Sequence, residues 1–280
     1  MNPSRHHAII THAVLCCLAL VTLIGCGAPE ANKLDSPVTR QLEQGIREGS
    51  GTFDHAAWNS ILTTHVDAKT GKVDYKALQK QRQPLDGYIE ALGKVKLNTL
   101  PRDEQLALLI NAYNAFTLKL IIDNLDGLRS IRDIPSPWDT RDYKLGGTTV
   151  SLNDIEHGLI RPIYKDPRIH FAVNCASIGC PPLAATAYTG PQLDAQLKAA
   201  TERFATDPNT VQLSGNTLRV SKLLKWYGSD FTDASFKGHA SSVAVYLKPY
   251  TTDEVRSFIA QQGDNVSVAF MDYNWNLNAQ

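Results

Sequence analysis

Arg102-Asp-Glu-Gln-Leu-Ala-Leu-Leu-Ile-Asn-Ala-Tyr-Asn-Ala-Phe-Thr-Leu-Lys-Leu-Ile-Ile-Asp-Asn-Leu125 is the longest helical pattern in the chain, and Pro101 precedes it. Leu106, Leu109, Tyr113, Phe116 and Leu120 share one side of this helix; Ala107, Asn111, Asn114, Ala115 and Leu118 share the other. A helix that is apolar on both sides belongs at the centre of its domain. Asn111 and Asn114 are therefore expected to be buried, one turn apart. An amide left unpaired there costs about 1–3 kcal/mol, so each must find partners. They either clamp neighbouring loops or form the wall of a polar pocket.

Shorter elements surround this helix. Residues 53–65 and 76–94 space their apolar residues as helices do, with a tight turn at 67–73 between them. Residues 143–152 read as a hairpin turning at Gly146-Gly147, and 211–220 as a second turning at Gly215-Asn216. Helical patterns recur at 152–161, 190–206, 221–228 and 252–262, and residues 266–274 alternate as a terminal strand. Helices mixed with short antiparallel pieces predict an α+β fold: a single, mostly helical domain over 51–280 with short hairpins and a small sheet. That stretch contains no linker-like segment, internal repeat, Gly-rich phosphate loop, His-Glu-x-x-His motif or Gly-x-Ser-x-Gly elbow.

The N-terminal end gives an address. An apolar run from Ala8 to Ile24 follows Arg5 and closes on Leu23-Ile-Gly-Cys26. The run is shorter than the roughly 20 apolar residues that cross a bilayer. It ends in small residues, as a cleaved signal peptide does. The ending resembles the bacterial lipoprotein signal, with residues 1–25 removed and Cys26 acylated. Residues 26–50 are then expected to be the lipidated N-terminus and a polar tether. Gly27 stands where an aspartate would favour inner-membrane retention, which points to the outer membrane, facing the periplasm. Removing residues 1–25 takes one of the 28 basic residues and none of the 28 acidic ones, leaving a net charge of −1. That excludes roles needing a strong basic excess, such as nucleic-acid binding.

Several polar residues stand in apolar surroundings. Ser151-Leu-Asn-Asp154 resembles a capping box opening a helix on which His157 and Arg161 share a face. They form either a solvated face or an anion-binding pair at a pocket rim. Residues 168–175 read as a strand, which puts His170 and Cys175 on opposite faces and roughly 16 Å apart. That spacing disfavours a direct Cys–His dyad. Cys175 and Cys180 lack the Cys-x-x-Cys spacing of a thioredoxin-type site. In an oxidising compartment two cysteines so close usually pair, and Gly179 gives their loop room to close. A free catalytic thiol and a metal site remain open alternatives. His157, His170 and the two thiols match no recognised zinc spacing, and no cofactor is expected. Asp272 is in phase with Val266, Val268 and Phe270. It is either a core-facing carboxylate needing a partner or a solvated residue beyond the strand.

Residues 110–116 (Ile-Asn-Ala-Tyr-Asn-Ala-Phe), Ile155-Glu-His157 with Arg161, residues 170–177 (His-Phe-Ala-Val-Asn-Cys-Ala-Ser), Cys180-Pro-Pro182 and residues 272–276 (Asp-Tyr-Asn-Trp-Asn) occur together and in order. In this the chain resembles the family called domain of unknown function 547, with a family-like core over about 100–225. The resemblance implies a bacterial extracytoplasmic member and draws attention to Asn111, Asn114, His157, Arg161, His170, Cys175 and Cys180. It implies no reaction.

Two functions follow. In the first, a membrane-anchored module binds a small polar molecule or a polypeptide in a pocket lined by Asn111, Asn114, His157, Arg161, His170 and Asp272, beside a loop stiffened by the Cys175–Cys180 disulfide. In the second, a thiol hydrolase or acyl transferase acts on envelope peptides. Cys175 is then the nucleophile, His157 or His170 the base, and Asn111 or Asn114 the orienting group.

Overall fold

The computed structural model describes residues 31–280. The expected signal peptide, its lipobox-like ending and Cys26 lie outside the described residues.

Helix α1 (Pro37–Glu48) starts on Ser36, whose hydroxyl accepts from the Thr39 amide at 3.3 Å. Val38 and Leu42, four apart on one face, are fully buried. The folded body thus begins near Leu34, and the expected tether to residue 50 is corrected to a helix of the core. Helix α2 (Ala56–His65) follows. The single helix expected at 76–94 is two, α3 (Tyr75–Lys80) and α4 (Gln83–Lys94). Pro84 explains the break: it has no amide for a continuing helix but suits the first turn of a new one. Helix α5 (Arg102–Asp123) is the predicted central element. It is long and apolar enough to cross a membrane, yet 89% of its apolar window is buried inside the protein, which makes it a core helix.

Strands β1 (Tyr143–Leu145) and β2 (Thr148–Val150) pair antiparallel around Gly146 and Gly147, whose φ angles of +54° and +80° suit glycine. The predicted capping box follows. The Ser151 amide donates to the Asp154 carboxylate at 2.9 Å, and the Asp154 amide to the Ser151 hydroxyl at 3.0 Å. It opens a π-helical segment, Asp154–Ile160, which runs into α6 (Arg161–Tyr164).

The expected strand at 168–175 is instead a 3-10 turn, Pro167–Phe171, followed by a loop. Asp166 caps the turn by accepting from the Arg168 amide at 3.1 Å, and Pro167 fixes its first residue. The expected opposition of His170 and Cys175 across a strand is therefore withdrawn.

The chain continues through α7 (Leu193–Thr206), the hairpin β3 (Val211–Ser214) and β4 (Thr217–Ser221), then α8 (Leu223–Trp226), α9 (Gly228–Thr232), α10 (Val243–Leu247) and α11 (Asp253–Gln262), and returns as β5 (Ser267–Met271). Strand β5 pairs parallel with β4, Leu218 opposite Val268 and Val220 opposite Phe270. The fold is the expected α+β class in one domain.

Two hydrophobic clusters form the interior. The larger surrounds α5, and the smaller gathers Phe171, Phe204, Phe231, Val220 and Leu247 beneath the second sheet. Ile169 and Ala172 belong to the larger cluster and Phe171 to the smaller, so the Pro167–Phe171 turn runs along their seam. Residues 277–280 close the structure on its first half. The Val73 amide donates to the Asn278 carbonyl at 3.0 Å, the Gln280 amide to the Val73 carbonyl at 3.0 Å, and the Leu277 amide to the Arg129 carbonyl at 2.8 Å.

Candidate functional site

The two asparagines of α5 act as clamps. The Asn111 side-chain oxygen accepts from the Trp58 indole at 3.2 Å and the Tyr188 amide at 3.0 Å. Its amide nitrogen donates to the Tyr188 carbonyl at 2.7 Å and to His55 Nδ1 at 3.2 Å. Four partners fill the capacity of a primary amide. Asn114 donates to the Ala172 carbonyl at 3.0 Å and accepts from the Asn174 amide at 2.9 Å, which ties the residues after the 3-10 turn to the central helix. Of the two uses open to these residues, both serve as clamps.

His157, Arg161 and His170 converge on the seam, joined by residues the sequence did not single out. Arg161 makes a two-pronged ion pair with Asp230 at 2.7 and 2.8 Å. The Asp230 carboxylate also meets His170 Nε2 at 2.8 Å and the Ser229 hydroxyl at 3.5 Å. His157 Nδ1 accepts from Arg161 at 3.0 Å. Tyr227 covers the group: its ring lies 3.8 Å from that of His170 and 5.2 Å from the Arg161 guanidinium. Glu156 completes it, with Oε1 3.9 Å from His157 Nδ1 and 4.0 Å from His170 Nδ1. Glu156 Oε1 and His170 Nδ1 have no hydrogen-bond partner among the described residues.

Burial and charge oppose each other here. Burial pushes the carboxyls of Asp230 and Glu156 upward, but Arg161 and His170 hold Asp230 well below the usual carboxylate range. His157 and His170, with the Tyr227 hydroxyl, likewise pull Glu156 below its ordinary value. Burial lowers His157. His170 is 1% exposed and cannot meet a solute without rearrangement. Arg161 and Asp230 border a cavity of about 520 Å³, which Lys33, Lys165, Ser229 and Ser235 also line. The group ties two apolar clusters together through charge.

The cysteines pair as Cys175–Cys180. Asn174 organises their loop by donating to the Pro181 carbonyl at 2.8 Å and accepting from the Ala176 amide at 2.8 Å. Ala176 takes a φ of +61°, which a non-glycine residue adopts only under such constraint. The polar neighbours of the Cys175 sulfur are the hydroxyls of Ser177 at 3.2 Å and Tyr273 at 3.3 Å. Neither is a histidine, so Cys175 has no imidazole neighbour of the kind the alternative thiol-enzyme reading requires. Ile178 and Gly179 donate their amides to the Asn276 and Asn274 carbonyls, both at 2.8 Å, which seats the loop against residues 273–277.

Beside this loop runs a groove of about 710 Å³. Lys69, Lys72 and Arg203 line it together with Asn174, Ser177, Cys180, Tyr273, Asn274 and Asn278. Asp207 and Asp272 also border it. Asp272 lies beyond the end of β5 and is exposed, so it is the solvated residue of the two alternatives and reaches neither Arg161 nor a histidine. Its neighbour Tyr273 touches the disulfide instead.

The structure thus divides the predicted residues into a pair of clamps, a buried charged seam and a disulfide loop on a groove. Sequence reasoning missed Glu156, Tyr227, Asp230 and Tyr273. A signal existed for Asp230, which stands between Tyr227 and Phe231 on the apolar side of a helical pattern. None existed for its pairing with Arg161, 69 positions away.

No curated protein and no solved structure matches the chain. Residues 97–205, which carry α5, the charged π-helical segment, the 3-10 turn and the disulfide loop, match the family described as Protein of unknown function, DUF547.

Proposed function

We propose that this chain is a ligand-binding domain of the bacterial cell envelope. It is held to a membrane by acyl chains on Cys26 and takes a short polar peptide bearing a free carboxylate in the groove beside the Cys175–Cys180 loop. The observation that carries the reading is the lining of that groove. Three cations, Lys69, Lys72 and Arg203, share about 710 Å³ with six asparagine or serine residues, Asn174, Ser177, Asn209, Ser221, Asn274 and Asn278. Its volume lies in the ordinary range for ligand sites, about 300–1,000 Å³. Lysine and arginine attract a carboxylate, and amides and hydroxyls satisfy peptide groups. Asp207 and Asp272 at the border suit an amine on the same ligand.

The Leu23-Ile-Gly-Cys26 ending supports the anchor, and Gly27 supports the outer membrane over the inner. Replacing Cys26 with serine is expected to move the protein from the detergent phase to the aqueous phase on phase separation. Calorimetric titration tests the groove, using a zwitterionic tripeptide and its C-terminally amidated form. The free acid should bind, the amide should bind about tenfold more weakly for loss of one charged contact, and Arg203→Ala should weaken the free acid by a similar factor. Equal binding of both forms, or of neither, overturns the reading.

A further inference from the structure

The Cys175–Cys180 disulfide has surroundings that a purely mechanical staple does not require. Its loop is already held without it, by the Asn174 side chain, by the amides of Ile178 and Gly179, and by the Asn278 amide on the Ala176 carbonyl at 3.0 Å. The two cysteines differ in exposure: Cys175 is half-buried, whereas Cys180 is 8% exposed. They also differ in their donors: the Ser177 and Tyr273 hydroxyls lie near both sulfurs, 3.2 and 3.3 Å from that of Cys175, but only the Cys180 sulfur also meets a backbone amide. The Cys180 sulfur faces the Cys175 amide at 3.0 Å, the Tyr273 hydroxyl at 3.0 Å and the Ser177 hydroxyl at 3.5 Å. The Ser177 hydroxyl also lies 3.0 Å from the Tyr273 oxygen, placed to donate to it and strengthen its O–H as a donor. Burial raises the Tyr273 hydroxyl far above its ordinary value, so it stays protonated at every physiological pH.

A disulfide sulfur is a weak acceptor. A thiolate is a strong one, and hydrogen bonds to it are charge-assisted. The Cys175 amide and the Tyr273 hydroxyl, the latter backed by Ser177, therefore stabilise the cleaved state more than the intact one, as donors aimed at a developing charge do in catalysis.

We propose that Cys175–Cys180 is a thiol–disulfide exchange site, with Cys175 the attacked sulfur and Cys180 the leaving group. The substrate class is a polypeptide carrying two cysteine thiols. One substrate thiolate attacks Cys175 Sγ. A new S–S bond joins them, and the electron pair of the old bond leaves on Cys180 Sγ, where the Cys175 amide and the Ser177-backed Tyr273 hydroxyl receive it. The second substrate thiolate then attacks the substrate sulfur of the mixed disulfide, and that bond's electron pair leaves on Cys175 Sγ. The substrate loses two electrons and two protons and becomes a disulfide; the two cysteines gain them and become thiols. The proposal does not depend on the groove's preference for a carboxylate.

The test is the rate at which dithiothreitol reduces the bond in the folded full-length chain, read by quenched alkylation and mass. The bond should open while the chain remains native by circular dichroism. Tyr273→Phe should slow opening about tenfold, the effect of one lost hydrogen bond to a charged group, without changing the melting of the oxidised protein. Ser177→Ala gives the same reading from a smaller change if the tyrosine variant does not fold. In Cys180→Ser, Cys175 should be captured by oxidised glutathione much faster than Cys180 is in Cys175→Ser. Reduction only on unfolding, equal rates in the wild type and both hydroxyl variants, or equal capture of the two cysteines each overturns the proposal.

Discussion

At the scale of single residues, the interior owes more to polar groups than its apolar clusters suggest. Asn111 carries four hydrogen bonds, and Asn111→Ala leaves the Trp58 indole and both Tyr188 backbone groups unpaired. A loss of about 2–4 kcal/mol is expected in urea unfolding. Asp230→Asn strips the counter-charge from a buried arginine and should cost about 3–5 kcal/mol at neutral pH. The sign with pH follows from its depressed carboxyl. Asp230's contribution is present above the ordinary carboxylate range and is lost as the pH falls below it, so the wild-type advantage over Asp230→Asn should shrink in acid. His55 works in the opposite protonation state. Its Nδ1 faces the Tyr88 hydroxyl at 2.7 Å and the Asn111 amide at 3.2 Å, which act as donors to it and put its proton on Nε2. Burial pushes its pKa down to about 4 from 6.5. A histidine buried neutral stabilises fully above 6.5, and that stability drains away as the pH falls from 6.5 towards 4. Between pH 7 and 4.5 the wild type should lose about 2–3 kcal/mol more than His55→Gln; equal losses would show that His55 is already charged when folded.

At the scale of elements, legibility followed locality. Helix α5 and both hairpins could be read because apolar spacing and the Gly146-Gly147 and Gly215-Asn216 turns state them within a few residues. Residues 168–175 alternate like a strand, yet Asp166, Pro167 and the Asn114 clamp take the backbone elsewhere. Two of those three signals are local and decide the first turn; the third comes from a helix some 60 positions away. The seam was half legible for the same reason: His157 and Arg161 mark one element, but their carboxylate partner arrives on another. Helix α1 reads as a tether in sequence because its exposed face is strongly polar. Its docking depends on Gly45, where an added methyl would stand 2.5 Å from the Leu97 carbonyl and 2.6 Å from that of Leu100. Gly45→Ala should therefore lift α1 from the core and cost about 2–4 kcal/mol, measured by thermal or urea unfolding. An unchanged stability would mean that α1 adds little to the fold.

At the scale of the molecule, two apolar clusters share one charged seam, and the last described residues return to the first third of the chain. That return reaches beyond stability, into the order of events during synthesis. Val73 stays unpaired on one side until Asn278 and Gln280 arrive, and the Tyr75 hydroxyl waits for Asn278, 2.6 Å away in the finished structure. The central strand β4 likewise stays an open edge until β5 is made. Contacts so distant in sequence form late and slowly. When residue 250 leaves the ribosome, the pairings of Val73, of Tyr75 and of the β4 edge are therefore still missing, and they are completed only once residues 267–280 have been made.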